Sequence, residues 1–132
     1  MAIFQQKETM EEMFGEIWTK LVKETSFGKE LKENGISIYF EVTDPSLVMY
    51  VDSEGPLFSD QAKAKTPVIT LKMSGDTVHK FWLNSLNIPK AIALRQVKAK
   101  GPIAKVLQVL PLLKPGKEMY PEYCAKYNLP TE

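Results

Sequence analysis

The chain has 132 residues, and its 17 lysines and arginines nearly balance its 16 aspartates and glutamates. A net charge of +1 shows no overall basic excess, so nucleic acid is not expected as a partner. One cysteine, Cys124, and one histidine, His79, exclude an internal disulfide and a metal site built from histidine and cysteine within one chain. No apolar run is long enough for a signal peptide or a membrane span, and we expect one cytoplasmic domain over residues 1–132.

The chain begins with a predicted long amphipathic helix. Apolar side chains recur at three- and four-residue steps from Met10 to Val22, while the opposite face is charged. Thr9 and Glu12 match a capping box, so we expect the helix to begin there. Its single apolar stripe predicts packing against a sheet.

Period-two patterns in the middle of the chain predict that sheet. Apolar and polar residues alternate over 36–42 and 68–73, and β-branched and aromatic residues dominate 47–52. A turn joins the first strand to the strand over 47–52 as an antiparallel hairpin. A weaker element occupies 57–65, and a short basic strand is expected over 94–100.

Helical patterns return after Ser74, which we expect to cap a helix over 74–86. Phe81 and Trp82 belong to the apolar stripe of this helix. The tripeptide at 87–89 contains a proline and predicts the start of another short helix.

The next helix, expected from Ile103, carries more apolar side chains than one core-facing stripe needs. Its core stripe comprises Ile103, Val106, Leu107 and Leu110. Three further apolar residues fall outside that stripe: Val109, Leu112 and Leu113. Pro111 and Pro115 are expected to end the regular helix, before a last short helix near 120–127. The surplus of apolar side chains predicts a contact beyond ordinary core packing.

Side chains suited to catalysis are scarce. A nucleophile needs a neighbouring base, and the single imidazole, His79, is expected on the polar surface of its helix. Cys124 lies in an apolar, tyrosine-rich context without a basic neighbour to lower its pKa, so we expect an inert, partly buried thiol. No glycine-rich phosphate loop or hydrolase motif is present in the sequence. We therefore expect neither catalysis nor a cofactor or metal.

One local concentration of positive charge comprises Lys90, Arg95, Lys98, Lys100 and Lys105. One explanation for this cluster needs no ligand: lysines often protect an exposed sheet edge from pairing with other chains. The alternative is contact with an anionic membrane surface or with a ligand headgroup. Arg95 shares strand parity with Val97 and Ala99, which would turn its stem toward the apolar interior and leave its guanidinium at the rim. A strand that begins later would turn Arg95 to solvent instead.

Three pieces of the sequence carry a family resemblance. They are the strand-to-helix passage at 68–76, the Leu-Asn-Ile-Pro-Lys-Ala turn at 86–91, and the strand-glycine-helix unit at 97–101 followed by 103–113. Together they resemble the sterol carrier protein family of small lipid-transfer domains. The resemblance implies an α+β fold in which a five-stranded, mostly antiparallel sheet is covered by helices. It also implies an apolar tunnel between sheet and helices that takes fatty acyl chains, acyl-CoA, sterols or phospholipids. A small glycine often stands in that family where this chain has Arg95, which leaves the ligand open.

The residue patterns and the resemblance both predict non-catalytic binding and transfer of a lipid or fatty acyl ligand. The predicted ligand-binding residues are Phe81, Trp82, Arg95, Val97, Ile103, Val106, Leu107, Leu110 and Leu113. Leu112 and Leu113 are also expected to form a lip that touches membranes. The competing hypothesis is a protein-interaction or dimerisation module that docks a partner through exposed apolar residues around Val109, Leu112 and Leu113. The oligomeric state stays open.

Overall fold

The computed structural model describes residues 3–4 and 6–131, with every side chain among them except that of Ile103. The helices in this part of the chain are α1 (Lys7–Glu24), α2 (Phe27–Glu33), α3 (Ser59–Lys63), α4 (Gly75–Trp82), α5 (Ile88–Ala93), α6 (Ile103–Val109) and α7 (Lys114–Lys126). A short 3-10 helix, Leu110–Leu113, joins α6 to α7. The strands are β1 (Ile38–Thr43), β2 (Leu47–Asp52), β3 (Gly55–Phe58), β4 (Ile69–Ser74) and β5 (Lys98–Lys100).

The five strands form one mixed sheet in the order β3-β2-β1-β4-β5. Neighbouring strands run antiparallel except β1 and β4, which pair in parallel with Ile38 opposite Ile69 and Val42 opposite Met73. Alternation along β1 places Ile38, Phe40 and Val42 on the buried face. The α+β class and the mostly antiparallel five-stranded sheet expected from the sequence are confirmed.

Helix α1 buries its apolar stripe as the sequence predicts. The fully buried side chains are Met10, Met13, Phe14, Ile17, Trp18 and Leu21. The predicted capping box of Thr9 and Glu12 is wrong, because the helix begins at Lys7 and Thr9 already lies in its first turn. Gln6 has the extended backbone of a cap, with φ −133° and ψ 135°, and makes no side-chain hydrogen bond there.

Helix α4 begins as expected, because the Ser74 hydroxyl accepts a hydrogen bond from the Thr77 backbone N–H at 3.1 Å. It ends earlier than the pattern suggests, at Trp82. Asn84 then takes a left-handed conformation with φ 62°, which asparagine tolerates better than most residues.

The last strand has three residues instead of the seven predicted over 94–100. Helix α5 runs to Ala93, and Arg95 follows it in a left-handed turn with φ 61°. The backbone N–H groups of Gln96 and Val97 both donate to the Ala91 carbonyl, which closes the helix end. Residues 94–97 therefore form a turn that leads into the strand. Strand β5 pairs with β4 only from Lys98.

The prolines at 111 and 115 start helical turns instead of ending them. Pro111 lies in the first turn of the 3-10 helix and Pro115 in the first turn of α7, where a missing N–H costs no helical hydrogen bond. Helix α7 consequently runs for 13 residues, and the short C-terminal helix expected near 120–127 is only its second half.

Candidate functional site

An apolar cavity of about 40 Å³ lies between the sheet and the helices. Its fifteen described lining residues all carry aliphatic, thioether or aromatic side chains. One part, here called the packed wall, comprises Trp18, Ile38, Phe40, Met49, Leu71, Met73, Val78, Phe81 and Trp82. The other part belongs to residues 88–113, here called the covering segment, and comprises Ile88, Val97, Val106, Val109, Leu110 and Leu113. The arrangement can hold an apolar group, and it offers no titratable side chain to a reaction.

Trp82 is held at the cavity by aromatic contacts. Its ring centre lies 5.3 Å from that of Trp18 and 5.2 Å from that of Phe81, both in edge-to-face geometry, and it stacks on Tyr120 at 6.2 Å. Helix α7 reaches this ring only because residue 116 is glycine, since a Cβ there would lie 2.6 Å from Cζ3 of Trp82. The position of the indole is therefore fixed by three helices.

Six of the nine predicted ligand-binding residues lie around the cavity: Phe81, Trp82, Val97, Val106, Leu110 and Leu113. Leu107 does not, because α6 turns Val106 and Val109 inward and leaves Leu107 45% exposed. The side chain of Ile103 lies outside the described part of the structure. That the six residues bind a ligand stays a prediction.

Arg95 is also away from the cavity, and its expected inward orientation is wrong. The prediction assumed a strand from residue 94, whereas the chain is still in the turn after α5 and the side chain is exposed. The left-handed backbone at Arg95 breaks the strand parity on which the prediction depended.

The sequence reasoning missed nine lining residues. Seven of them come from α1, the sheet and the first turn of α5: Trp18, Ile38, Phe40, Met49, Leu71, Met73 and Ile88. The others are Val78 and Val109. Strand alternation did mark the inward face of the sheet, but a period of two cannot separate a side chain that lines a cavity from one in filled core.

The exposed apolar surface expected around Val109 and Leu113 does not form. These side chains are only 3% and 4% exposed, and Leu112 is half-buried. Val109 faces the cavity from the same side of α6 as Val106, three residues earlier. Leu113 turns toward it because the helical period changes at the 3-10 turn. The large apolar side chains that do reach solvent, among the described residues, include Leu94 and Leu107.

His79 is buried, contrary to the expectation of a surface histidine. Its side of α4 is covered by Phe4, whose ring lies 6.0 Å away, and by α7. The imidazole Nδ1 lies 2.7 Å from the Tyr120 hydroxyl. Burial lowers the pKa of His79 and raises the pKa of the Cys124 thiol, so both groups are uncharged at neutral pH.

The Lys117 side chain lies beside the cavity. The Lys117 ammonium is 4.5 Å from the ring centre of Phe81 and donates a hydrogen bond to Asn84 Oδ1 at 3.2 Å. A surface groove next to it is lined by Asn84, Leu110, Pro111, Lys114, Lys117 and Glu118. Leu110 lines both this groove and the cavity, so the two adjoin at its side chain.

Charge is divided unevenly along the chain. Between Asp76 and Glu118 there is no acidic residue, so residues 77–117 carry eight cations and the remainder of the chain carries a net charge of −7. Within the described residues, no helix is both long and apolar enough to cross a membrane. No group of three or more histidine, cysteine, aspartate or glutamate side chains in that part of the chain is placed to hold a metal ion.

The sequence matches no protein-family model and no curated protein. The structure superposes on sterol carrier protein 2 from Yarrowia lipolytica, in its apo form, with a TM-score of 0.63 at 15% identity, over 82% of this chain and 89% of that one. The sterol carrier protein domain 2 of Helicoverpa armigera gives a TM-score of 0.60 at 14% identity, over 87% and 90% of the two chains. Sterol carrier protein 2 from Aedes aegypti, in complex with the C16 fatty acid palmitate, gives 0.56 at 15% identity, over 76% and 94%. The expected sterol carrier fold is confirmed.

Proposed function

We propose that this chain, which has a sterol carrier fold around an apolar cavity, binds a single-chain lipid there and exchanges it with membranes without catalysis. The observation that carries the proposal is the convergence of fifteen apolar side chains from sheet and helices on one cavity. The palmitate complex of the Aedes aegypti protein, which has the same fold, supports a fatty acyl ligand.

The driving force for binding is the removal of the acyl chain from water. Each buried methylene contributes about 0.8 kcal/mol, so the four additional methylenes of palmitate over dodecanoate strengthen binding by up to about 200-fold. A cavity lined by flat aromatic and branched aliphatic side chains discriminates by length more than by chemistry.

The cavity must enlarge to accept such a chain. Its volume of about 40 Å³ is well below the ~150 Å³ of an engineered cavity that holds benzene. The packed wall is held by the strand ladder and by aromatic contacts, whereas α6 is anchored through Val106 and Val109 and turns Leu107 to solvent. We therefore place the opening at the covering segment, which moves outward as the ligand enters.

The same segment supplies a surface for membrane contact. It carries no acidic residue, and its exposed side chains include Lys90, Arg95, Leu94 at 59% and Leu107 at 45% exposure. Basic residues near an anionic bilayer contribute about 1 kcal/mol each, and exposed leucines enter the interface. Contact between this surface and a membrane would bring membrane lipid next to the covering segment, where the cavity opens.

Calorimetric titration with saturated fatty acids of increasing length tests the proposal. We expect affinity to rise with each added methylene until the enlarged cavity is full. Val106→Phe, which fills the cavity, should lower the affinity, while Gln108→Phe on the exposed side of the same helix should not. Absence of binding for every chain length in the wild-type protein would overturn the proposed function.

A further inference from the structure

A groove beside the cavity carries a cation. Phe81 faces the cavity, and the Lys117 ammonium lies over its ring at 4.5 Å. Leu110 lines both the cavity and the groove. A chain that displaces Leu110 on entering the cavity therefore leaves its polar end next to Lys117.

Lys117 has the capacity to bind an anion at this position. In the described part of the chain its one hydrogen-bond acceptor is Asn84 Oδ1, which leaves two of its three N–H donors for a ligand. No described carboxylate lies within ion-pair distance of it, although the exposed Glu118 lines the same groove. Contact with Phe81 partly desolvates the ammonium, and burial lowers the pKa of Lys117.

The surroundings favour an anionic over a neutral headgroup. Lys114 lines the groove with Lys117, so two cations face one carboxylate, Glu118. Charge-assisted hydrogen bonds are stronger than neutral ones, more so where water is partly excluded. The groove is open to solvent, which leaves room for a polar headgroup at the end of one chain.

We propose that Lys117 binds the carboxylate of a fatty acid whose tail occupies the cavity, with Asn84 holding the ammonium in place. This inference rests on the proposed function, because it requires the tail in the cavity. It assigns to Lys117 the anion recognition that the sequence suggested for Arg95, whose side chain is exposed on the turn after α5.

Titration of four proteins with dodecanoate and with its methyl ester tests the assignment. The proteins are the wild type, Lys117→Met, Lys117→Arg and, as a matched control, Lys90→Met, which removes an exposed lysine of the covering segment that lines neither cavity nor groove. Methionine keeps an apolar stem over Phe81 and deletes the charge. We expect Lys117→Met to lower the affinity for dodecanoate about tenfold and to leave the affinity for the methyl ester unchanged. The Lys117→Arg and Lys90→Met variants should keep near wild-type affinity for both ligands.

A second measurement follows the ammonium directly. The pKa of Lys117, obtained from the carbon-13 shift of its ε-methylene, should rise when dodecanoate binds and stay unchanged with the ester, because a carboxylate favours the charged lysine. Equal weakening of acid and ester in Lys117→Met, or an unchanged pKa with saturating dodecanoate, overturns the headgroup assignment alone. Wild-type protein that binds neither ligand overturns the proposed function with it.

Discussion

The cavity has two walls that are built differently. The packed wall combines hydrogen-bonded strands with an aromatic cluster, and its Trp18 and Trp82 are 1% and 3% exposed. The helices of the covering segment each turn one or two apolar side chains toward the cavity, and the segment leaves Leu94 and Leu107 exposed. Unequal packing of this kind concentrates opening motions in the less buried element. One wall therefore sets the shape of the site, and the other sets access to it.

The largest expected contrast is in stability. Trp82→Ala removes the indole that contacts α1, α4 and α7, so we expect a loss of about 3–5 kcal/mol in the free energy of unfolding. Leu107→Ala on the covering segment should change it by only about 0.5 kcal/mol, because the side chain is half in solvent. Urea titrations of both variants make the comparison, and equal losses would mean that the two walls are equally packed.

A smaller contrast concerns exchange with membranes. Replacing Leu94 and Leu107 with serine should slow transfer of fatty acid to vesicles containing phosphatidylglycerol by roughly tenfold, since each exposed leucine adds apolar area at the bilayer interface. Equilibrium affinity for the fatty acid should hardly change, because neither side chain lines the cavity.

Vesicles of phosphatidylcholine alone provide the control for this experiment. Wild-type transfer to them should already be slow, and added salt should slow transfer only to the anionic vesicles. A double variant that loses affinity and transfer rate to the same extent would place these leucines inside the binding site.

The smallest expected effect is a pH dependence of stability that comes from His79, on the same helix as Phe81 and Trp82. Burial lowers the pKa of His79 in the folded state, so the unfolded chain binds its proton first as the pH falls below about 6.5. Stability should decline from there down to the folded-state pKa, with a slope of at most about 1.4 kcal/mol per pH unit. His79→Gln should flatten this part of the curve. An unchanged slope in urea titrations between pH 5 and 7.5 would show that other groups cause it.

Regular local patterns were enough to predict the helices and strands that carry the packed wall, but not which of their side chains line the cavity. The apolar stripe of α1, the strand over Leu47–Asp52 and the Ser74 cap all follow from period and side-chain chemistry at neighbouring positions. Each of these signals is local, and the surrounding structure reinforces it.

The covering segment was harder to predict because its geometry depends on backbone conformations that side-chain periodicity does not encode. A left-handed residue at Arg95 reversed the orientation expected from strand parity. The 3-10 turn at Leu110–Leu113 rotated Leu113 inward, and Pro115, which was expected to end a helix, lies in the first turn of α7. The prediction that His79 lies on the surface failed for another reason. Its face of α4 is polar in sequence but is covered by Phe4 and α7, which are distant along the chain.

The edge-to-face pair of Trp18 and Trp82 gives the cavity a spectroscopic signal that needs no added label. Two indoles with ring centres 5.3 Å apart and planes inclined by 77° couple their electronic transitions, and the coupling gives a paired positive and negative band in circular dichroism. Because both rings line the cavity, an acyl chain that changes their separation or tilt changes the amplitude of that pair. Ligand entry can thus be timed in the unlabelled wild-type protein, and a Trp18→Phe variant supplies the spectrum of the uncoupled ring.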